Sequence, residues 1–77
     1  MEEKTYRLTF ARNLKRIMWE KDTTQTQLAI GCGFKYTSVI SKYANGVHVP
    51  SIDAAAKIAD FLGVSLDQLV GREERYG

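Results

Sequence analysis

Little in this chain is available for covalent or metal-based chemistry. Its single cysteine, Cys32, cannot form an internal disulfide. Nothing therefore staples the fold, and a reducing cytoplasm is the expected setting. The one histidine, His48, cannot build a zinc site with that cysteine alone, so neither metal nor cofactor is expected. No apolar run approaches the roughly 20 residues that a membrane-spanning helix needs, and the opening MEEKTYR does not read as a signal peptide. There is no nucleophile–base pair, no carboxylate dyad at a convincing spacing and no phosphate-cradling glycine loop, which argues against an enzyme. Repeats, low-complexity tracts and internal linkers are also missing.

What is present suffices for one domain with a modest core, since 44% of the 77 residues are hydrophobic. The net charge of +2 looks mild, but its distribution is uneven. Between Lys4 and Lys57 nine cations face three acids, Glu20, Asp22 and Asp53, a surplus of six. Most other acids, Asp60, Asp67, Glu73 and Glu74, are C-terminal. A basic body beside an acidic end suits a protein with one face on phosphate and another on a partner; a solvated surface with ordinary scatter would look similar.

Residues 24–46, TQTQLAIGCGFKYTSVISKYANG, organise the rest. Thr24 followed three residues later by Gln27 is the spacing of a capping box, which starts a helix. Gly31 and Gly33 are expected to end it. A second helix should run from about Tyr36 to Ala44, with Ile40 and Tyr43 sharing an apolar face. Thr37, Ser38, Ser41 and Lys42 make its other side short, polar or cationic, and Asn45-Gly46 stops it. A short helix, a glycine turn and a helix with one small polar face form the pattern of a helix-turn-helix DNA reader.

Around that stretch the periodicity predicts three more helices. The first six residues should fray. Helix 1 is expected from about Arg7 to Lys21, with Leu8, Ala11, Leu14, Ile17 and Met18 inward. Trp19 falls outside that stripe, either as an interface residue or folded against the N-terminal tail or helix 2. Pro50-Ser51 should start helix 4, about Ile52 to Leu62, with Ile52, Ala55, Ile58, Ala59 and Leu62 inward. Ser65 and Gln68 form a second capping box for a short helix 5, ending at Gly71, with Val64 and Leu69 at staple spacing. Residues 72–77 read as a charged tail.

The chain resembles the phage-repressor and Cro-like family, the XRE type, over about residues 8–70. The resemblance rests on Thr24-Gln25, Leu28-Ala29, Gly33, Ile40-Ser41-Lys42, Asn45-Gly46, Pro50-Ser51 and the run Leu62 to Asp67. It implies an all-α, five-helix lambda-repressor-like DNA-binding domain in which helices 2 and 3 form the helix-turn-helix. It further implies a sequence-specific transcriptional regulator of double-stranded DNA, of the repressor kind, that reads the major groove with helix 3. Family positions carried over residue by residue give Thr24 and Gln25 at the start of helix 2 as DNA-binding, the matching glutamine touching phosphate and bracing helix 3. Thr37, Ser38, Ser41 and Lys42 become groove-facing, with the Val39 methyls available to a thymine methyl. Asn45 and His48 match backbone contacts at the exit of helix 3, and Lys35 and Tyr36 could reach phosphate from its other end.

Two departures from the family stand out. Gly33 and Gly46 are one residue farther apart than usual, so Phe34 or Lys35 is extra. Phe34 is then expected to plug the core, and Tyr36 lies near the cap of helix 3. Members also usually carry a buried arginine–glutamate pair tying helix 1 to helix 3, at positions where this chain has Met18 and Ala44. Losing one partner would strand a buried charge, whereas losing both leaves a dry contact, expected here between Met18 and Ala44. Cys32 falls at an apolar family position, as core filler.

One module reads only a few base pairs, so a homodimer on a near-palindromic operator is expected. Its interface should draw on helix 5 and the tail, through Leu66, Leu69, Val70 and Tyr76. No small-molecule ligand is expected. The alternative reading is an antitoxin or other protein-interaction module on the same fold.

Overall fold

A computed structural model of the chain describes residues 2–71, with side chains from Tyr6 onward. It contains α1 (Glu2–Glu20), α2 (Gln25–Cys32), α3 (Thr37–Ala44), α4 (Ile52–Leu62) and α5 (Leu66–Val70). Among the described residues no strand occurs, as the expected all-α class requires. α1 is the spine. It packs on α3 and α5, while α2 packs on α3 and α4, and α4 on α5. Leu14, Leu28, Ile40, Ile58 and Leu69 are fully buried where these helices meet.

The boundaries follow local chemistry. At α2 the Gln27 amide donates to Thr24 Oγ1 (3.1 Å) and the Thr24 amide donates to Gln27 Oε1 (2.9 Å), closing the capping box. Ser65 and Gln68 repeat the arrangement at α5, at 3.0 and 2.9 Å. Ser51 Oγ accepts from the Ala54 amide at the start of α4. The end of α3 is closed by the Val47 amide donating to the Lys42 carbonyl (2.9 Å) and the Gly46 amide to the Tyr43 carbonyl (3.2 Å). That closure needs the left-handed backbone of Gly46, at φ 74°. A Cβ there would also lie 3.3 Å from Leu8 Cδ2.

Several expectations give way. α1 begins at Glu2, five residues before Arg7. Glu2, Glu3 and Lys4 are good helix formers, and acids in a first turn suit the helix dipole. Phe10, not Leu8, joins the core, on a stripe with Leu14, Ile17 and Met18. Leu8 lies on the flank of that stripe, exposed above Gly46. Gly31 does not end α2; it lies within the helix, against the Phe61 ring, where a Cβ would come within 2.1 Å of Phe61 Cε1. Its missing side chain is what lets α4 close on α2. Ile52 is 80% exposed at the first position of α4, and Ala54 is buried instead. Leu69 is core and unavailable to a subunit contact. Tyr76 lies outside the described residues.

Met18 and Ala44 are both buried and line one cleft, in keeping with the dry contact expected there. Phe34 packs on the core and meets Tyr43 edge to face, as Phe10 does from the other side (centroids 6.4 and 6.5 Å). This aromatic group absorbs the extra turn residue and seats α3.

Asn13 is the one buried polar side chain among the described residues. Its Nδ2 donates to the carbonyls of Leu69 (3.0 Å) and Gln68 (3.2 Å), at the end of α5 where carbonyls lack helical partners. Asn13→Leu strands both acceptors. The expected cost is about 1–3 kcal/mol, read as a lower urea midpoint with unchanged slope.

Candidate nucleic-acid interface

α3 rests on α1 and α2 through Ile40 and Ala44, both buried. The side turned away from them carries Thr37, Ser38 and Lys42, all exposed, and Ser41, half-buried. Residues 37, 41 and 45 follow one another at helical spacing, with 38 and 42 alongside, so the five form one continuous strip. Asn45 Nδ2 donates to Ser41 Oγ at 3.3 Å, tying the end of the strip to its middle. Val39 is half-buried at the edge of this face. The strip offers hydroxyl donors and acceptors, an amide and one ammonium, which is the inventory that base edges require.

The two ends of α3 differ. Tyr36 occupies the cap position with extended backbone (φ −128°, ψ 136°) and makes no side-chain cap bond. Tyr36 thus gives the first amides of α3 no side-chain acceptor, and Lys35 Nζ stands 5.9 Å from the Tyr36 ring centroid beside them. At the far end Asn45 and His48 are exposed around the Gly46 turn.

Thr24 and Gln25 are exposed at the start of α2. Thr24 Oγ1 accepts from the Gln27 amide, which leaves its hydroxyl proton free to donate outward. Gln25 is the first residue of α2, among amides at the positive end of the helix dipole. Thr24, Gln25 and Ala44 line the same cleft, so the start of α2 opens beside the last turn of α3. The cleft sets Thr24 and Gln25 beside the end of α3, and α3 itself carries Thr37, Ser38, Ser41, Lys42 and Asn45 on its strip. Lys35 and Tyr36 flank α3 at one end and His48 at the other.

Other candidates are quieter. Cys32 is buried, and burial pushes its thiol above the ordinary range, partly offset by Lys57. It stays protonated as core filler. Among the described residues no group of three or more His, Cys, Asp or Glu side chains could hold a metal, and no helix is long and apolar enough to cross a membrane. Sequence reasoning did not find the cleft beside Trp19, nor the apolar groove of about 530 Å³ between α1, α4 and α5. The exposed Trp19 was the one available signal for the first. Phe10, at i−4 from Leu14, is the signal for the second, masked because Leu8 also has helical spacing.

Comparison with known proteins places the chain by sequence. The cryptic phage CTXphi transcriptional repressor RstR of Vibrio cholerae serotype O1 is 43% identical over 49 residues, 64% of this chain. The matched stretch spans 43% of that relative's length. No solved structure matches the chain. Residues 14–69 match the helix-turn-helix family, from the second half of α1 into α5, and the chain belongs to that family, as an XRE-type helix-turn-helix protein.

Proposed function

We propose that this protein is a sequence-specific double-stranded-DNA-binding transcriptional regulator, acting as a repressor in the compartment that holds the DNA. The observation that carries the reading is the free strip of α3: Thr37, Ser38 and Lys42 are exposed while Ile40 and Ala44 anchor the helix behind them. The major groove, about 12 Å wide, admits such a helix. Lys42 would favour guanine acceptors, and the hydroxyls of Thr37, Ser38 and Ser41 would read neighbouring base edges. Thr24, Gln25 and the α2 amides would hold a phosphate on one flank. Lys35, Tyr36, Asn45 and His48 would fix the register from the ends of α3. Similarity to a phage transcriptional repressor supports the repressor sense.

A homodimer completes the reading. The groove between α1, α4 and α5 exposes Tyr6, Val49, Ile52 and Leu66 side by side. The Arg7 Nε buried in its wall has no hydrogen-bond partner among the described residues. A second copy would cover the apolar surface and could supply an acceptor. Two α3 helices would then meet half-sites about one helical turn, ~34 Å, apart.

In-vitro selection from a random duplex library tests both points. The expected product is a near-palindrome with half-sites about ten base pairs apart, bound with a log–log salt slope of about −0.9 per phosphate contacted. A library that stays random, with binding insensitive to salt, overturns the reading in favour of a protein-interaction module.

A further inference from the structure

We propose that Trp19 packs against the sugar–phosphate backbone, extending the DNA footprint from α2 and α3 onto the C-terminal end of α1. The inference rests on the DNA-binding reading above. Trp19 is 83% exposed, the most exposed large apolar side chain among the described residues. It forms a wall of an open cleft of about 600 Å³ whose buried apolar lining is Met18 and Ala44. Lys15, Thr24 and Gln25 lie at its edges, all exposed. On its other side a smaller cleft of about 360 Å³ also reaches Thr23 and Thr24. The indole therefore stands free beside the start of α2, in the same recess that joins that start to the end of α3.

The neighbours decide which partner fits. A protein partner docking on a tryptophan usually finds further apolar surface around it. Here the exposed residues lining the cleft, apart from Trp19, are Lys15, Arg16, Thr24 and Gln25: cations, a hydroxyl and an amide. The larger exposed apolar cluster lies elsewhere, in the groove between α1, α4 and α5, and the smaller pair Ile30 and Phe61 lines a separate cleft beyond Thr23 that does not include Trp19. Two acids, Glu20 and Asp22, are nearby. The first is held to Arg16 Nε at 3.8 Å with both side chains more than half exposed, a pair weak enough to open for a stronger anion. Apolar deoxyribose alternating with anionic phosphate matches an indole face beside a lysine. The indole N–H can add one donor to a phosphate oxygen. Continuity adds to this, because Thr24 and Gln25 line the same recess as Trp19, so a strand held by them borders the indole. Such a contact adds affinity without sequence preference.

The chain holds a single tryptophan, so its own emission reports the contact. Intrinsic fluorescence and iodide quenching are followed while the selected operator, or a random-sequence duplex of equal length, is added to the intact protein; anisotropy of the labelled duplex gives binding. Expected are a blue shift and iodide protection that saturate with the anisotropy change for both duplexes. Trp19→Ala should weaken both by about tenfold while leaving the salt slope and thermal midpoint unchanged. Lys15→Gln should lower the slope by about 0.9. Full binding with unaltered emission, and a Trp19→Ala effect under twofold, overturns the proposal while leaving DNA binding intact. Iodide protection that grows with protein concentration alone overturns it by assigning Trp19 to a subunit contact. Failure of the parent to bind either duplex removes the DNA reading, and this inference with it.

Discussion

Leu69→Ala is expected to lower the thermal midpoint by about 8 °C or more, from a stability loss of about 2–5 kcal/mol. A domain this size has roughly 4–12 kcal/mol to lose, so the variant sits near the edge of folding. Leu69 is fully buried in a helix of five residues. So short a segment has no stability of its own. It is fixed by its capping box, by Asn13 on its last carbonyls and by this one leucine in the core. Leu66, three residues earlier, is 37% exposed and lines the apolar groove. Leu66→Ala should change monomer stability by under about 1 kcal/mol and weaken self-association instead. Urea unfolding and sedimentation of the two variants separate the roles. Were Leu69→Ala to keep its midpoint and lose only dimerisation, the placement of α5 against α1 would be wrong.

That contrast shows where sequence reading reaches and where it stops. Caps are local chemistry between residues three apart, so Thr24–Gln27 and Ser65–Gln68 were legible, and with them the starts of α2 and α5. The paired absence of charge at Met18 and Ala44 was legible too, because one vacancy explains the other. Periodicity identified helices but not the width of each buried stripe. Leu8 and Ile52 have the spacing of core residues, yet they sit at the rims of α1 and α4, beyond the reach of the neighbouring helices. Gly31 looked like a stop signal because its true partner, Phe61, lies thirty residues on and only tertiary packing brings the ring over it. Leu66 and Leu69 were interchangeable in sequence; one turn of helix against α1 separates core from surface. For the candidate site, residue types and the exposed strip were both foreseeable. The joining of α2's start to α3's end through one cleft was not, since it depends on how the two helices cross.

The largest functional effect is expected from replacing Thr37, Ser38 and Lys42 together by alanine. Each base-edge contact discriminates by about 1–3 kcal/mol, so losing three should bring operator affinity down toward that for random duplex, a fall of about 10³-fold or more. Folding is not a rival explanation. All three side chains are exposed, none anchors α3, and alanine is the best helix former, so the thermal midpoint should hold or rise. The effect on random duplex is the informative control. Thr37 and Ser38 carry no charge, and Lys42 contributes at most one phosphate contact, so non-specific binding should drop slightly and its salt slope shorten by no more than about 0.9. Gln25→Ala predicts the opposite signature: at the start of α2 it should weaken operator and random duplex by the same factor, because a phosphate contact positions without specifying. If the triple variant instead keeps its operator-to-random ratio, the strip on α3 lies outside the groove. The extra residue between Gly33 and α3 would then have rotated the reading face toward Val39, whose substitution by alanine would become the one that relaxes sequence preference.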